Sequence, residues 1–488
     1  MMKKEFIPIL ILLFVAGNNQ AQFRDFDLSN YKLPDLEWRL LETSFNLAGL
    51  NRYERRPESE YPGISEYGYN DFSGDLAMDY YHYLNNAKSQ RESWAGFSFS
   101  GYLQGRKEDN VLYNRYGNYS PLVYYQRDCR RYFGSNKFFL GSDLYFSYRF
   151  EKNKGFNEYG GYEYRDNLQM HHAVARVPLS IGIGRIEQVQ DARHAIYLLS
   201  ELSKVERVTS DKSDQDIIRF AELISRLKNE RFFDSRLRNI EEIKAVDSFL
   251  VANDYVLNSD AIYFTTLSDF WRYGNYPVRE SGTRFAYVIA PEYNFERYNN
   301  PDDGYLYDHG KYNLHAFSGT SGFELLHEKP INIFFQNSMI LSAYATFTEG
   351  RLNDKITPDE SKIRAPGFRT RFSQMLGYYP NTRTYLRFRY SVEYRHFFDQ
   401  TDPEKGITGV DGKGAMASAD FNLYFYISPQ VRLNVSTYLS GIWQASEDQF
   451  NVYGSVLDYF TNPGATANGF REWIIDRGFN IGFSWFIF

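Results

Sequence analysis

Apolar and polar side chains alternate along most of this chain, most clearly over 383–398. The odd positions there are Arg383, Tyr385, Arg387, Arg389, Ser391, Glu393 and Arg395, and the even ones are Thr384, Leu386, Phe388, Tyr390, Val392, Tyr394, His396 and Phe398. Successive side chains of a strand point to opposite faces, so this period predicts a strand with one greasy and one charged face. The same period sets Ala417, Ala419, Phe421, Leu423, Phe425 and Ile427 against Ser418, Asp420, Asn422, Tyr424 and Tyr426. It continues with Val431, Leu433, Val435, Leu439 and Trp443 against Arg432, Asn434, Ser436, Ser440 and Gln444. Over 139–151, Leu144, Phe146, Tyr148 and Phe150 oppose Asp143, Ser147 and Arg149. Strands of soluble sandwiches are usually about five or six residues long. Runs of roughly ten to eighteen residues with Tyr and Phe crowding their ends match membrane-crossing strands and their aromatic girdles.

The links between runs alternate in length. Short ones fall at 85–90, 134–137, 327–331, 379–383 and 427–431, where Pro330, Pro380 and Pro429 break the ladder. Long ones rich in Gly, Asp, Asn and Tyr occupy about 53–70, 105–120, 152–165, 297–311, 350–365, 399–413 and 446–469. Short periplasmic turns and long surface loops are the expected topology. Counting gives six strands before residue 187 and eight after about residue 283, an even total of about 14, as closed bacterial barrels require. The fourth, near 120–133, is the weakest, because Gln126, Arg127, Asp128, Arg130 and Arg131 put charge on both faces.

Between the sixth and seventh strands the period changes. Val189, Ala192, Ala195, Ile196, Leu199 and Leu202 recur at helical spacing, and amphipathic stretches follow at about 213–230, 234–252 and 258–272. An even strand count before this insertion places it on the short-turn, periplasmic side. The predicted organisation is a signal peptide over 1–21, a six-stranded part of a barrel over 22–187, a periplasmic helical insertion over 188–280 and an eight-stranded part over 281–488. The fold class is an all-β transmembrane barrel of about 14 antiparallel strands with an inserted small α-helical domain.

The N-terminus supports export: a basic start, an apolar stretch from Phe6 to Val15 and small polar residues before Ala21 and Gln22 form a signal peptide. No later apolar run is long enough for a membrane helix. Composition fits, with 42 Tyr, 41 Phe and 6 Trp among 488 residues, a mean hydropathy of −0.53 and therefore little aliphatic bulk for a conventional core. A net charge of −6 lacks the basic excess of a nucleic-acid binder. The single Cys129 forms no internal disulfide and is expected to be an inert barrel residue.

The signal peptide, the aromatic alternating strands and the terminal Ile481-Gly482-Phe483-Ser484-Trp485-Phe486-Ile487-Phe488 together resemble a Gram-negative outer-membrane β-barrel. The resemblance implies that Phe486 and Phe488 form the C-terminal assembly signal read by the barrel-insertion machinery, with Gly482 one residue displaced from the usual place. Alternation puts Trp473, Ile475, Phe479, Ile481, Phe483, Trp485 and Ile487 opposite Phe488, against the expected arrangement. The Gly184-Arg185-Ile186-Glu187 passage into Asp191-Ala192-Arg193 is similar to uncharacterised outer-membrane proteins of Bacteroidota, and it transfers no function.

Candidate chemistry centres on arginine. Arg369 and Arg371 of the tenth strand and Arg383, Arg387, Arg389 and Arg395 of the eleventh share a polar face and should form an arginine ladder in the lumen, favouring anionic solutes. The alternative is a closed ion-pair network with Asp75, Asp79, Asp143, Glu292, Glu393 and Asp420. His171 and His172 are adjacent on a strand and cannot chelate one metal together; His172 with Ser180 lacks an orienting partner for a hydrolase. No metal or cofactor is expected, since zinc spacings are absent, and Asp302, Asp303, Gly304 and Asp308 read as a polar loop more readily than a calcium site. Gly182-x-Gly184 is a corner without a phosphate role. Tyr61, Tyr67, Tyr69, Tyr159, Tyr162 and Tyr164 are expected to pack the surface loops or stack on sugars.

Two functions compete: a channel or transporter for small polar or anionic solutes, and a structural, assembly or secretion-accessory barrel. In the second, the helices dock a periplasmic protein or the cell wall, with Asp191 and Arg193 as candidate docking residues. Outer-membrane lipid is the expected environment, and no enzymatic activity or nucleic-acid partner is expected.

Overall fold

The alternating runs form one continuous antiparallel sheet. The computed structural model describes residues 26–57, 64–108, 111–134, 138–159, 162–209, 212–229, 235–273, 278–300, 311–354, 361–381, 383–405, 407–428, 431–446 and 470–485. Before the helices come β1 (Leu36–Pro57), β2 (Ile64–Asn86), β3 (Ser89–Glu108), β4 (Val111–Phe133), β5 (Phe138–Tyr159) and an interrupted β6 (Tyr162–Asp166, Gln169–Arg176 and Leu179–Gln188). All three segments of β6 pair with β5, so they fill one place in the sheet. After the helices come β7 (Glu280–Asn299), β8 (Lys311–Pro330), β9 (Phe335–Asp354), β10 (Ser361–Arg364 and Gly367–Tyr378) and β11 (Thr384–Phe397). The last three are β12 (Gly412–Tyr426), β13 (Val431–Ser446) and β14 (Phe470–Trp485). Each position pairs antiparallel with the next, giving the all-β, 14-position wall that the alternation requires.

Register carries each face unbroken across the wall. Glu42↔Asp79, Asp128↔Asp143, Arg176↔Glu292, Arg389↔Asp420 and Ser440↔Asp476 lie on one side. Phe45↔Leu76, Met78↔Phe97, Ile181↔Tyr287, Phe323↔Ala343 and Val435↔Ile481 lie on the other. The apolar face is uncovered: Phe45 is 67% exposed and Phe479 81%, an amount of greasy surface that a protein in water does not leave open. The charged fourth strand does form. Its Arg127 and Arg131 stand on the apolar side opposite Leu144 and Leu140, Arg131 near the turn at Gly134 and Arg127 further along the strand. Among the described residues β1 pairs only with β2 and β14 only with β13, so both end strands present free edges.

Three expected long links prove to be mostly strand. The hairpins β1–β2, β3–β4 and β5–β6 continue to Pro57↔Ile64, Glu108↔Val111 and Tyr159↔Tyr162. Their outer ends lack an apolar face, so the alternation test loses them, yet the backbone ladder and contacts such as Arg106 over the Tyr69 ring (5.8 Å) carry them on. Tyr67, Tyr69, Tyr159, Tyr162 and Tyr164 therefore belong to ladders rather than to packed loops. Tyr61, the cluster of Asp302, Asp303, Gly304 and Asp308, the C-terminal Phe486 and Phe488, and the signal peptide lie outside the described residues.

Between β6 and β7 lie α1 (Gln190–Lys204), α2 (Asp214–Asn229), α3 (Ser235–Ala252) and α4 (Ala261–Tyr273). Gly184 (φ +96°) and Gly282 (φ +134°) occupy backbone conformations that a side chain would strain, where β6 and β7 leave the sheet for the helices. Ile217, Phe220, Ile224, Leu227 and Leu250 are all buried in the helical core. That core also takes in Phe26, Leu28, Tyr31 and Leu33 from the N-terminal segment, together with Ile333 from the β8–β9 turn. Residues 26–33, assigned from sequence to the barrel, belong instead to the helical unit, because their apolar side chains have nowhere else to be buried.

Candidate functional site

The polar face gathers charge from strands far apart in sequence. On its β4–β10 side the acids and arginines satisfy one another. Arg130 meets Asp128 at 2.6 Å and Asp143 at 3.8 Å, Arg284 meets Glu324 at 3.6 Å, and Arg176 pairs with Glu292. Tyr344 donates to Glu324 at 3.1 Å. All of these groups but Asp128 line a partly open cavity of about 350 Å³, walled by Ser180, Ser318, Thr320 and Thr346 as well.

The six arginines predicted to form a ladder split into two groups. Arg369 and Arg395 both reach the buried Glu393, at 2.7 and 2.5 Å. Arg383 leaves the ladder and bonds Asp269 of α4 at 2.5 Å, which ties the helices to the start of β11. Arg371, Arg387 and Arg389 have no carboxylate oxygen within 4.0 Å among the described residues. Asp420 stands opposite Arg389 in the register, but the carboxylate accepts from Asn422 at 3.0 Å instead. Arg371 and Arg389 are exposed on the polar face, and the Arg387 guanidinium lies 5.2 Å over Tyr385, whose ring stacks on Tyr424 at 4.3 Å. Half of the ladder is therefore neutralised and half is a free cationic strip.

The helical unit closes down on the short-turn end of the wall. Arg279, 1% exposed, donates to the carbonyls of Ile333 (2.6 Å), Asn332 (2.8 Å) and Phe335 (2.7 Å) and to Gln336 Oε1 (3.2 Å). The Tyr197 hydroxyl donates to the Tyr379 carbonyl at 2.8 Å, in the β10–β11 turn. Arg185 holds the β2–β3 turn through Asn85 Oδ1 (3.0 Å) and the carbonyls of Asn86 (3.0 Å) and Ala87 (3.2 Å). Tyr197 thus ties the cap to the β10–β11 turn, while Arg185 of β6 and Arg279 just before β7 hold the neighbouring β2–β3 and β8–β9 turns at the junction between wall and helices.

Asp191 and Arg193, expected as docking residues, are used inside the protein. They are 3% and 4% exposed, with Asp191 on Lys228 at 2.8 Å and Arg193 between the rings of Tyr197 (5.0 Å) and Tyr379 (5.3 Å). A charge enclosed in this way cannot meet a partner. Their position in the first turn of a helix that packs on the sheet, rather than on one facing solvent, is what the sequence pattern did not reveal.

At the opposite, long-link end, Ile407–Gly409 folds back and pairs in parallel with Lys362–Arg364. Val410 is buried there with Leu314, Ile363 and Ala365. Leu314 shares the polar side of the wall with Glu296, so this segment turns toward the interior of the curve. The short apolar Ile407 and Val410 inside a polar link were the available signal. His171 and His172 point to opposite faces as expected: His171 Nδ1 lies 2.8 Å from the Tyr148 hydroxyl on the apolar side. Cys129, also on that side, lies 3.6 Å from Arg127 Nη2.

No family model and no curated protein matches the chain. Among solved structures, the translocator domain of the autotransporter NalP from Neisseria meningitidis is 8% identical, with 80% of this chain and 89% of that one covered and a TM-score of 0.26. The ferripyoverdine receptor of the outer membrane of Pseudomonas aeruginosa is 7% identical over 92% of this chain and 66% of that one, with a TM-score of 0.33. OmpT, an outer membrane protein of Vibrio cholerae, is 10% identical over 91% and 97%, with a TM-score of 0.23.

Proposed function

We propose that the chain is an outer-membrane β-barrel that passes small anionic solutes, closed at its periplasmic end by the helical cap. The carrying observation is the strip of Arg371, Arg387 and Arg389, which face the polar interior without carboxylate partners among the described residues. A wall built only to be closed would have paired these cations as it pairs Arg176, Arg284 and Arg369, whereas Arg371 and Arg389 stay exposed on the polar face, open to an anion. In a water-filled space between low-dielectric walls, three such charges raise the local anion concentration.

The apolar face supports the membrane part of this reading: long strands with exposed Phe, Leu and Ile on one side need lipid as their solvent. The docking alternative loses Asp191, Arg193 and the buried apolar residues of α2, which are consumed inside the protein, and keeps, among the described residues of α3 and α4, only the exposed Ile240, Val251, Ile262 and Phe264. The test is ion selectivity in planar bilayers. Reversal potentials across a salt gradient should show anion preference for the intact chain and lose it in Arg371→Gln/Arg387→Gln/Arg389→Gln. Cation preference in the intact chain, or an anion preference untouched by the triple variant, would remove the strip from the mechanism.

A further inference from the structure

The apolar face of β1–β5 is not a uniform wall. Gly49, Gly74, Gly101 and Gly117 stand on it in four neighbouring strands, and Gly74 pairs directly with Gly101. The missing side chains leave a hollow of about 730 Å³ flanked by Leu47, Phe72, Leu76, Phe99 and Leu103. Arg115 of β4 and Lys154 of β5 line the same hollow at its long-link end. A second hollow of about 500 Å³ continues from Phe72, Leu103 and Arg115 past Asn51 and Asn70. The slot therefore runs from a greasy trough to a polar, cationic head. Neither Arg115 nor Lys154 has a carboxylate oxygen within 4.0 Å among the described residues.

We infer that this slot binds one anionic acylated lipid of the surrounding leaflet, with an acyl chain along the glycine floor and its phosphate against Arg115 and Lys154. The inference rests on the barrel reading, since it takes the apolar face to be the one that meets lipid. Charge complementarity selects the occupant. Arg presents a fork of donors matched to phosphate oxygens and Lys adds a point charge, both at the level where the strands leave the apolar zone and a lipid headgroup would sit. A second copy of the chain would bring the same cations to the contact and oppose like charges. An uncharged lipid would fill the trough but leave both cations unsatisfied.

The glycines make the trough separable from the head. A Cβ at Gly101 would make only ordinary contacts, with the Phe99 ring edge at 3.6 Å and the Asn118 carbonyl at 3.9 Å, so a larger side chain fits the strand and fills the hollow. At Gly74 it would lie 2.9 Å from Leu47 Cδ2, and the floor there has less room to give. The experiment is native mass spectrometry of the full chain in detergent, titrated with phosphatidylglycerol or with phosphatidylcholine of the same acyl chains. The intact chain should retain phosphatidylglycerol at about tenfold lower concentration. Arg115→Gln/Lys154→Gln should bring the two lipids level, and Gly101→Leu should weaken both alike. Lys154→Gln alone, a surface change with little bearing on folding, should cut the preference by about threefold. Equal retention of the two lipids by the intact chain, or a preference that survives the double charge removal, overturns the site. Flotation with liposomes separates the two readings: a chain that does not float defeats the barrel and the slot together, whereas one that floats without lipid preference defeats the slot alone.

Discussion

Within the cap, the imidazole of His194 is enclosed, with Nε2 3.2 Å from the Phe270 carbonyl and the ring 5.2 Å from Trp271. Burial first, then the Lys228 ammonium, hold its pKa well below the usual 6.5; the Phe270 carbonyl opposes them, and the Arg193 guanidinium adds a smaller lowering effect. As pH falls, the unfolded chain takes up this proton before the folded one. The stability contributed by the neutral ring is therefore complete above about pH 6.5 and drains below it, by up to about 1.4 kcal/mol per pH unit until the folded pKa is reached. Helical unfolding followed by circular dichroism should shift to lower temperature between pH 7 and 5, and His194→Gln should flatten the shift; parallel slopes would disprove it. Arg279 makes a different prediction. Its four acceptors lie in the β8–β9 turn and at the start of β9, and Arg279→Lys keeps the charge without the fork that reaches them. The substitution should cost the cap about 2–3 kcal/mol, read as a lower denaturant midpoint for the helices.

At the level of elements, the free edges of β1 and β14 are the physical demand left open by the register. Strand β14 runs 16 residues and β1 runs 22, each with one side of its backbone unpaired among the described residues. In hydrocarbon each unpaired backbone group costs several kcal/mol, so in a bilayer the two edges must pair with each other. Cysteines placed at Thr43 and, in turn, at Ile475, Phe479 or Ile481, in a Cys129→Ser background, should yield one efficient cross-link in membranes. If no pair cross-links in the membrane-inserted chain, the closed barrel fails. How much of this was legible in the sequence follows from the same geometry. The strand positions were, since lipid on one side and charge on the other impose a period of two wherever the chain crosses, as in 383–398. The hairpin extensions beyond that zone were not, because water wets both faces there and the pattern disappears although the ladder continues. The helices were legible from Val189, Ala192, Ile196 and Leu199. Their N-terminal partner was not, since Phe26, Leu28, Tyr31 and Leu33 form a run too short to carry a period. Arg369, Arg371, Arg387, Arg389 and Arg395 do share one face while Arg383 lies before the strand, and which of them meet Glu393 depends on cross-strand register, which a single strand does not encode.

For the whole molecule, the channel reading places two closures in series on the polar interior. At one end the helices and residues 26–33 lie over the short turns, tied to the wall by the Tyr197 hydroxyl on the Tyr379 carbonyl and by the Arg383–Asp269 ion pair. At the other, Ile407–Gly409 pairs with Lys362–Arg364 near the long links, with Val410 buried beside Leu314 on the polar side. The free arginine strip lies between them. Its field reaches about 10 Å at 0.1 M salt and about 3 Å at 1 M, so selectivity set by these charges should fade as salt rises, whereas selectivity set by width would persist. Replacing 189–278 by a flexible linker should turn rare openings into steady conductance that is still anion-selective at low salt. Arg383→Ala, which cuts one tie between cap and wall while leaving the strip intact, should raise the opening frequency without changing the selectivity of each opening. If removing the cap leaves the bilayer silent, the interior is occluded by the wall's own side chains, and the cationic strip then serves an internal packing role instead of a path.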